Sequence, residues 1–350
     1  MGPMTEPSLP DTIADEAQLE ELLSRPSAAD VAFARTLSED VLVLGAGGKM
    51  GPSLARRVRR ACDAAGVKRR VIAASRFSEP GLAAALERDG IEAVACDLLQ
   101  PDQVGRLPVV GNVLYLAGRK FGSTERPDLT WAHNTVVPAV VARRFAEARI
   151  VVFSSGNVYA PVGAYSAGAT EADPPGPVGE YAWSCLGRER VFEYFSAERK
   201  TACLLFRLFY AVDLRYGTLV DVARRVLAGE PVDLSVPRVN AIWQGDANSY
   251  AFRSLALCAA PPRALVVTGP QPVTVLVLAE RFGASLGRPA RLEGHEGPAA
   301  LLGNPALCVS LLGPPEVSLD RLVAWTAGWV AHGGRSLDKP THFEGTDGRF

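Results

Sequence analysis

From Val41 onward, short fully apolar runs alternate with longer stretches in which apolar residues recur at helical spacing. Val41-Leu42-Val43-Leu44 is apolar at every position and ends in glycine, the pattern of a parallel strand buried on both faces. The spacing then predicts a helix over Pro52–Ala65, a strand over Arg70–Ala74, a helix over Gly81–Arg88 and a strand over Ala93–Ala95. Strands over Val113–Leu116 and Ile150–Phe153 flank a long helix over Leu129–Ala148. A second long helix, Tyr181–Arg199, precedes a strand over Ala202–Phe206. Strand–helix–strand order with short connections predicts an α/β fold, a Rossmann-type doubly wound parallel sheet.

The flanks read differently. Glu16–Leu23 and Ala28–Leu37 have helical spacing, are separated by Pro26, and form a surface-packed N-terminal extension ending at residue 38. Met1–Pro10 is expected to be disordered. The Rossmann unit covers residues 39–210. After Tyr210 the rhythm loosens into a helix over Gly217–Ala228, short strands within Pro231–Ile242, a strand over Ala264–Thr268, and helices over Val273–Leu286 and Ser318–Ala331. This predicts a smaller C-terminal substrate lobe over residues 211–332, with two strands returning to the main sheet. Residues 333–350 read as an extended tail.

Composition narrows the partners. A net charge of −1 gives no bulk attraction to nucleic acid or to a membrane surface. The most apolar runs, Ala264–Val267 and Val273–Leu278, are too short to cross a bilayer. The cysteines at 62, 96, 185, 203, 258 and 308 include no Cys-x-x-Cys pair, which argues for reduced thiols in a cytoplasmic protein. The N-terminus lacks the pattern of a signal peptide. The histidines at 133, 295, 332 and 342 have no ligand spacing, so no metal is expected. Arg56, Arg57, Arg59 and Arg60, with Lys68, Arg69 and Arg70, read as a solvated basic face.

Gly45-Ala46-Gly47-Gly48-Lys49-Met50-Gly51 joins the first strand to the first sheet helix. Gly45 permits a tight turn, Gly48 lets backbone approach a pyrophosphate, and Gly51 lets the helix pack close to the strand. The helix N-terminus adds N–H groups and a positive dipole end, so a dinucleotide site is predicted. An acidic residue at the end of the second strand would favour NAD. Ser75-Arg76 stands there instead, with Lys49 in the nearby loop, which makes NADP the expected cofactor over NAD. Asp97-Leu98, after the third strand, would flank the adenine.

With Leu116-Ala117-Gly118, Lys120, Asn134, Ser154-Ser155-Gly156-Asn157-Val158-Tyr159, Tyr181 and Arg207-Leu208-Phe209, these residues resemble the extended short-chain dehydrogenase/reductase family. The likeness is to its NAD-dependent epimerase/dehydratase group, typified by UDP-galactose 4-epimerase, and covers about Val41–Val330. The resemblance implies that Ser155 hydrogen-bonds the substrate oxygen and that Tyr181 is the acid/base. Ala117, Gly118 and Lys120 would lie beside the cofactor, and Arg119, Asn157 and Tyr210 beside the substrate. It also implies a homodimer built on the two long helices, with Val191, Phe192 and Phe195 as apolar positions that need a partner.

The chain departs from the family at Cys185. A lysine is expected one helical turn after the tyrosine, where its charge lowers the phenol pKa. A neutral thiol supplies no such charge, and Arg119 or Lys120 are candidate replacements. Tyr210 stands where nucleotide-sugar enzymes carry an asparagine, which favours a smaller sugar, sugar acid or polyol. Trp131, Trp183 and Trp243 are candidates for pocket walls or for core. Two functions follow: a nicotinamide-dependent sugar or sugar-acid epimerase, dehydrogenase or reductase, or a cofactor-holding pseudoenzyme that serves as sensor or scaffold.

Overall fold

The computed structural model describes residues 9–339 together with Thr341, Phe343, Gly345 and Gly348. Most of the segment expected to be disordered, and His342, lie outside the described residues.

Seven strands form one parallel sheet: β1 (Val41–Leu44), β2 (Val71–Ser75), β3 (Glu92–Ala95), β4 (Asn112–Tyr115), β5 (Arg149–Ser155), β6 (Cys203–Leu208) and β7 (Arg263–Val267). Their spatial order is β7-β6-β5-β4-β1-β2-β3. Register runs in step across the centre, with Val41 beside both Val71 and Asn112. Strands β1 and β4 are buried along their whole length because helices cover both faces. Leu54, Val58 and Phe252 pack one face, and Val137, Val141 and Phe192 the other. A separate core of the later segments gathers Leu219, Val226, Phe282, Trp243 and Trp325.

The first long helix is not uniform. Pro127–Trp131, Ala132–Val136 and Val137–Arg144 run end to end, and the middle segment is a π-turn that closes on a Val137 N–H to Ala132 carbonyl bond. Pro138 has no N–H for the Asn134 carbonyl, so the helix widens by one residue just before it. That widening is where Asn134 points inward, fully buried.

Three expectations change. Among the described residues only one later strand, β7, returns to the sheet; Pro231–Asp233 and Arg238–Val239 pair with short neighbours elsewhere. Within the basic group Lys68 and Arg70 are exposed as expected, but Arg56, Arg57, Arg59 and Arg60 are not a solvated face. Arg57 is 2% exposed and binds Asp30 at 2.7 Å, while Arg56 bonds Glu20 and Asp89 and Arg60 bonds Glu21. The N-terminal helices Glu16–Ser24 and Ala28–Ala34 cover these arginines, and Asp30 also accepts from Ser249, so the extension is built into the molecule. Phe192 and Phe195 are 0% and 5% exposed against the sheet, so neither waits for a partner.

Candidate active site

The glycine loop holds the predicted geometry. Gly45 has φ +82°, and a Cβ there would lie 2.7 Å from the Ala117 nitrogen. A Cβ on Gly51 would lie 2.5 Å from Ala46 backbone, so helix and strand meet at glycine distance. Around Gly48, by contrast, an added Cβ would meet only the Gly45 carbonyl at 3.3 Å, so this backbone faces open space. The helix Gly51–Ala65 starts without a side-chain cap, which leaves its N–H groups toward that space. The donor set fits a dinucleotide pyrophosphate.

The loop opens onto a cavity of about 540 Å³ at the C-terminal ends of β1, β4 and β5. Its wall includes Gly45, Gly48, Met50, Gly51, Gly118, Ser155, Asn157 and Tyr181, drawn together from four separate segments. Ser155, at the end of β5, receives the Asn157 N–H at 3.2 Å. Its hydroxyl also hydrogen-bonds the Tyr181 phenol, whose hydroxyl bonds the Cys185 sulfur as well. Burial pushes the Tyr181 phenol above its ordinary value and Cys185 adds to this, while Arg188 and the Ser155 hydrogen bond pull it down.

Two lysines near the glycine loop and Tyr181, Lys49 and Lys120, stand on the cavity wall. Lys120 Nζ lies 5.8 Å from the Tyr181 ring, and burial first, then Lys49, lowers its pKa to about 8. Lys49 donates to the Ala211 carbonyl at 2.9 Å and sits 4.3 Å from the Tyr216 ring. Burial lowers it to about 8 against the pull of Asp213. Lys49 thus points away from Ser75-Arg76, correcting its expected role beside the adenosine: the loop's turn aims this side chain at Ala211 on the far wall. Below Tyr181, Arg207 forks onto Glu189 at 3.0 and 2.7 Å and donates to the Tyr159 hydroxyl at 2.6 Å.

Other candidates lie apart. Ser75, Arg76, Asp97, Leu98, Ala117 and Arg119 are not among the cavity-lining residues. Ser75 Oγ packs beside Gly47, and Arg76 is exposed, with no hydrogen bond or ion pair among the described residues. Asn134 clamps the Arg119 backbone through bonds of 2.9 and 3.0 Å, and the Arg119 guanidinium runs toward Gly122. Trp243 is core against Trp325, while Trp131 and Trp183 are 37% and 52% exposed. Tyr210 lines the cavity with φ +28°.

Sequence reasoning missed two contributors. Arg188 is 5% exposed on the same helix as Tyr181, and its seven-residue spacing from the tyrosine was the available signal. The tail residues Leu337, Lys339, Thr341 and Phe343 also line the cavity. Thr341 N–H and Oγ1 both donate to the Asp221 carboxylate, at 3.1 and 2.5 Å. No local pattern marked that tail as part of a wall.

A parallel sheet with a glycine loop after β1 and a serine–tyrosine pair at the crevice is the architecture of a dinucleotide-dependent oxidoreductase. The profile of the NAD dependent epimerase/dehydratase family matches residues 41–234, and the chain belongs to that family. Comparison with curated protein sequences finds no match. Among solved structures, MoeE5 in complex with UDP-glucose and NAD is 20% identical, with a TM-score of 0.66 over 84% of this chain and 99% of its own. UDP-glucose 4-epimerase of Thermus thermophilus, in complex with NAD, is 19% identical, with a TM-score of 0.65 over 82% of this chain and 97% of its own. UDP-glucuronic acid 4-epimerase of Bacillus cereus, in complex with NAD, is 16% identical, with a TM-score of 0.67 over 83% and 96%. No helix among the described residues is long and apolar enough to cross a membrane.

Proposed function

We propose that the protein is an NAD(P)-dependent enzyme acting at a hydroxyl-bearing carbon of a carbohydrate-derived substrate, as an epimerase, dehydrogenase or reductase. The observation that carries this reading is the hydrogen-bonded pair of Ser155 and Tyr181 on the wall of the cavity into which the glycine loop opens. The nicotinamide supplies the hydride acceptor or donor when bound. Ser155 would hold the substrate oxygen and Tyr181 would move its proton. Asn157 and Tyr210 line the same space. Lys49 and Lys120 favour a substrate with a carboxylate or phosphate, and Tyr210 with the tail favours a sugar acid over a larger nucleotide sugar.

NADP is the proposed cofactor, because Arg76 is exposed and without an ion pair among the described residues beside the Ser75 hydroxyl. Calorimetry with both cofactors tests this. Arg76→Ala should weaken NADP alone by about 1–3 kcal/mol, the scale of a charge-assisted hydrogen bond. Residues 211–332 would form the substrate lobe, and the free cysteines suit a reducing cytoplasm. A homodimer would use the exposed Trp131, Val136, Trp183 and Tyr194 on the two long helices; light scattering showing a monomer would end that proposal. The pseudoenzyme reading draws on Cys185 and the raised Tyr181 pKa. Turnover on a panel of sugars, sugar acids and UDP-sugars separates the two. Tyr181→Phe should abolish turnover and leave cofactor affinity intact, whereas activity that survives it would place the chemistry elsewhere.

A further inference from the structure

Tyr181, Cys185 and Arg188 stand on one face of the helix Gly179–Arg199, at successive turns. Helical side chains lean toward the N-terminus, so a long arginine reaches back over the preceding turn. Cys185 is small and fully buried, which leaves that path open. The Arg188 guanidinium ends between the C-terminal ends of β5 and β4, donating to the Phe153 carbonyl and to Asn134 Oδ1, each at 2.6 Å. It presses on Gly118, where an added Cβ would collide with it. Asn134 owes its inward aim to the π-turn, so the widened helix and the arginine form one arrangement.

We propose that Arg188 is the fixed cation of this site, supplying from the next helical turn the positive charge that Cys185 lacks. This rests on the reading of Tyr181 as the acid/base. The groups facing the phenol are Ser155 from β5, Lys120 from the turn after β4, and Cys185 and Arg188 from its own helix. Lys120 loses its proton near pH 8, whereas a guanidinium keeps its charge throughout the working range. A lysine at 185 would stand one turn before Arg188, and like charges at that spacing repel. The cysteine and the arginine are therefore complementary: one cation, moved along the helix. Arg188 is a positioning residue that acts through Tyr181 and on the charge of the crevice.

The test compares Arg188→Met, Arg188→Lys, Cys185→Lys and the double variant Cys185→Lys/Arg188→Met. Calorimetry measures the affinities of the oxidised and reduced forms of NADP and NAD. The oxidised nicotinamide is cationic and the reduced one neutral, so a nearby fixed cation disfavours the oxidised form. Arg188→Met should move the oxidised-to-reduced affinity ratio about tenfold toward the oxidised form, a single-charge effect at protein dielectric. Arg188→Lys should keep the wild-type ratio, and the double variant should restore it. If the enzyme turns over, Arg188→Met should also move the acidic limb of its pH–rate profile upward. Equal weakening of both cofactor forms would make Arg188 merely structural and overturn the proposal. Should Arg188→Met fail to fold, Cys185→Lys decides. Repulsion predicts no gain in turnover and a ratio shifted toward the reduced form. A tenfold or greater gain, or an unchanged ratio, would show that the charge is not where we place it. A wild type that turns over no sugar but shows the charge-dependent ratio fails only the substrate reading; one that binds neither cofactor fails both.

Discussion

Lys49→Met should make the ligand-free protein more stable at neutral pH and less able to hold phosphate. Lys49 is packed against Tyr216 and Ala211, and burial lowers its pKa from 10.5 to about 8. At about 1.4 kcal/mol per tenfold, holding this buried ammonium in the cavity wall costs about 3 kcal/mol. The folded pKa lies below the unfolded one, so the penalty is fully present below pH 8 and is relieved as pH rises toward 10.5. Between about pH 7 and about pH 9.5 it falls by about 2 kcal/mol. Loss of the bond to the Ala211 carbonyl offsets about 1 kcal/mol of the gain from methionine. The variant should therefore exceed wild type by about 1–2 kcal/mol near pH 7 and match it near pH 9.5. Urea unfolding followed by tryptophan fluorescence reads this directly, since Trp243 and Trp325 report the core. Inorganic phosphate should bind the variant more weakly, because Lys49 is one of the cations on the cavity wall. A stability difference that stays constant with pH would refute the reasoning, as the lysine would then not be held charged against burial.

Three further outcomes follow from the same geometry. Glu189→Gln should cost about 3–5 kcal/mol in chemical denaturation, because it strands the buried Arg207, whose side chain is only 6% exposed. Gly51→Ala should cost about 1–3 kcal/mol, since its Cβ would press on Ala46, and thermal unfolding should lose its response to added dinucleotide. Asp246 accepts the Val317 and Glu316 N–H groups, yet burial raises its carboxyl to about 7 from 3.8. Its folded pKa is the higher one, so stability falls as pH rises from about 4 to about 7. Asp246→Asn should flatten that fall by several kcal/mol, about 4 at most; unfolding free energies at about pH 5 and about pH 7 check it.

The local features of the fold were legible in the sequence because short-range physics decides them. Val41–Leu44 reads as a two-face-buried strand from apolar continuity alone, and Gly45, Gly48 and Gly51 read as a phosphate cradle from the turn they permit. Tyr181 and Cys185 share a face by helical period, and Ser155 ends a strand that its apolar run announces. Tertiary structure decided where charges go. Arg57 reads as solvated until Asp30, distant in the chain, is folded over it, and Lys49 reads as a partner of Arg76 until the loop aims it at Ala211. Arg188 looks like one more surface charge on a helix until Asn134, Phe153 and Gly118 close around its guanidinium. Thr341 and Phe343 join the cavity wall only because Asp221 anchors the tail. Backbone periodicity is set by neighbours in sequence, whereas the burial and the partner of a long charged side chain are set by segments brought together only in the folded chain.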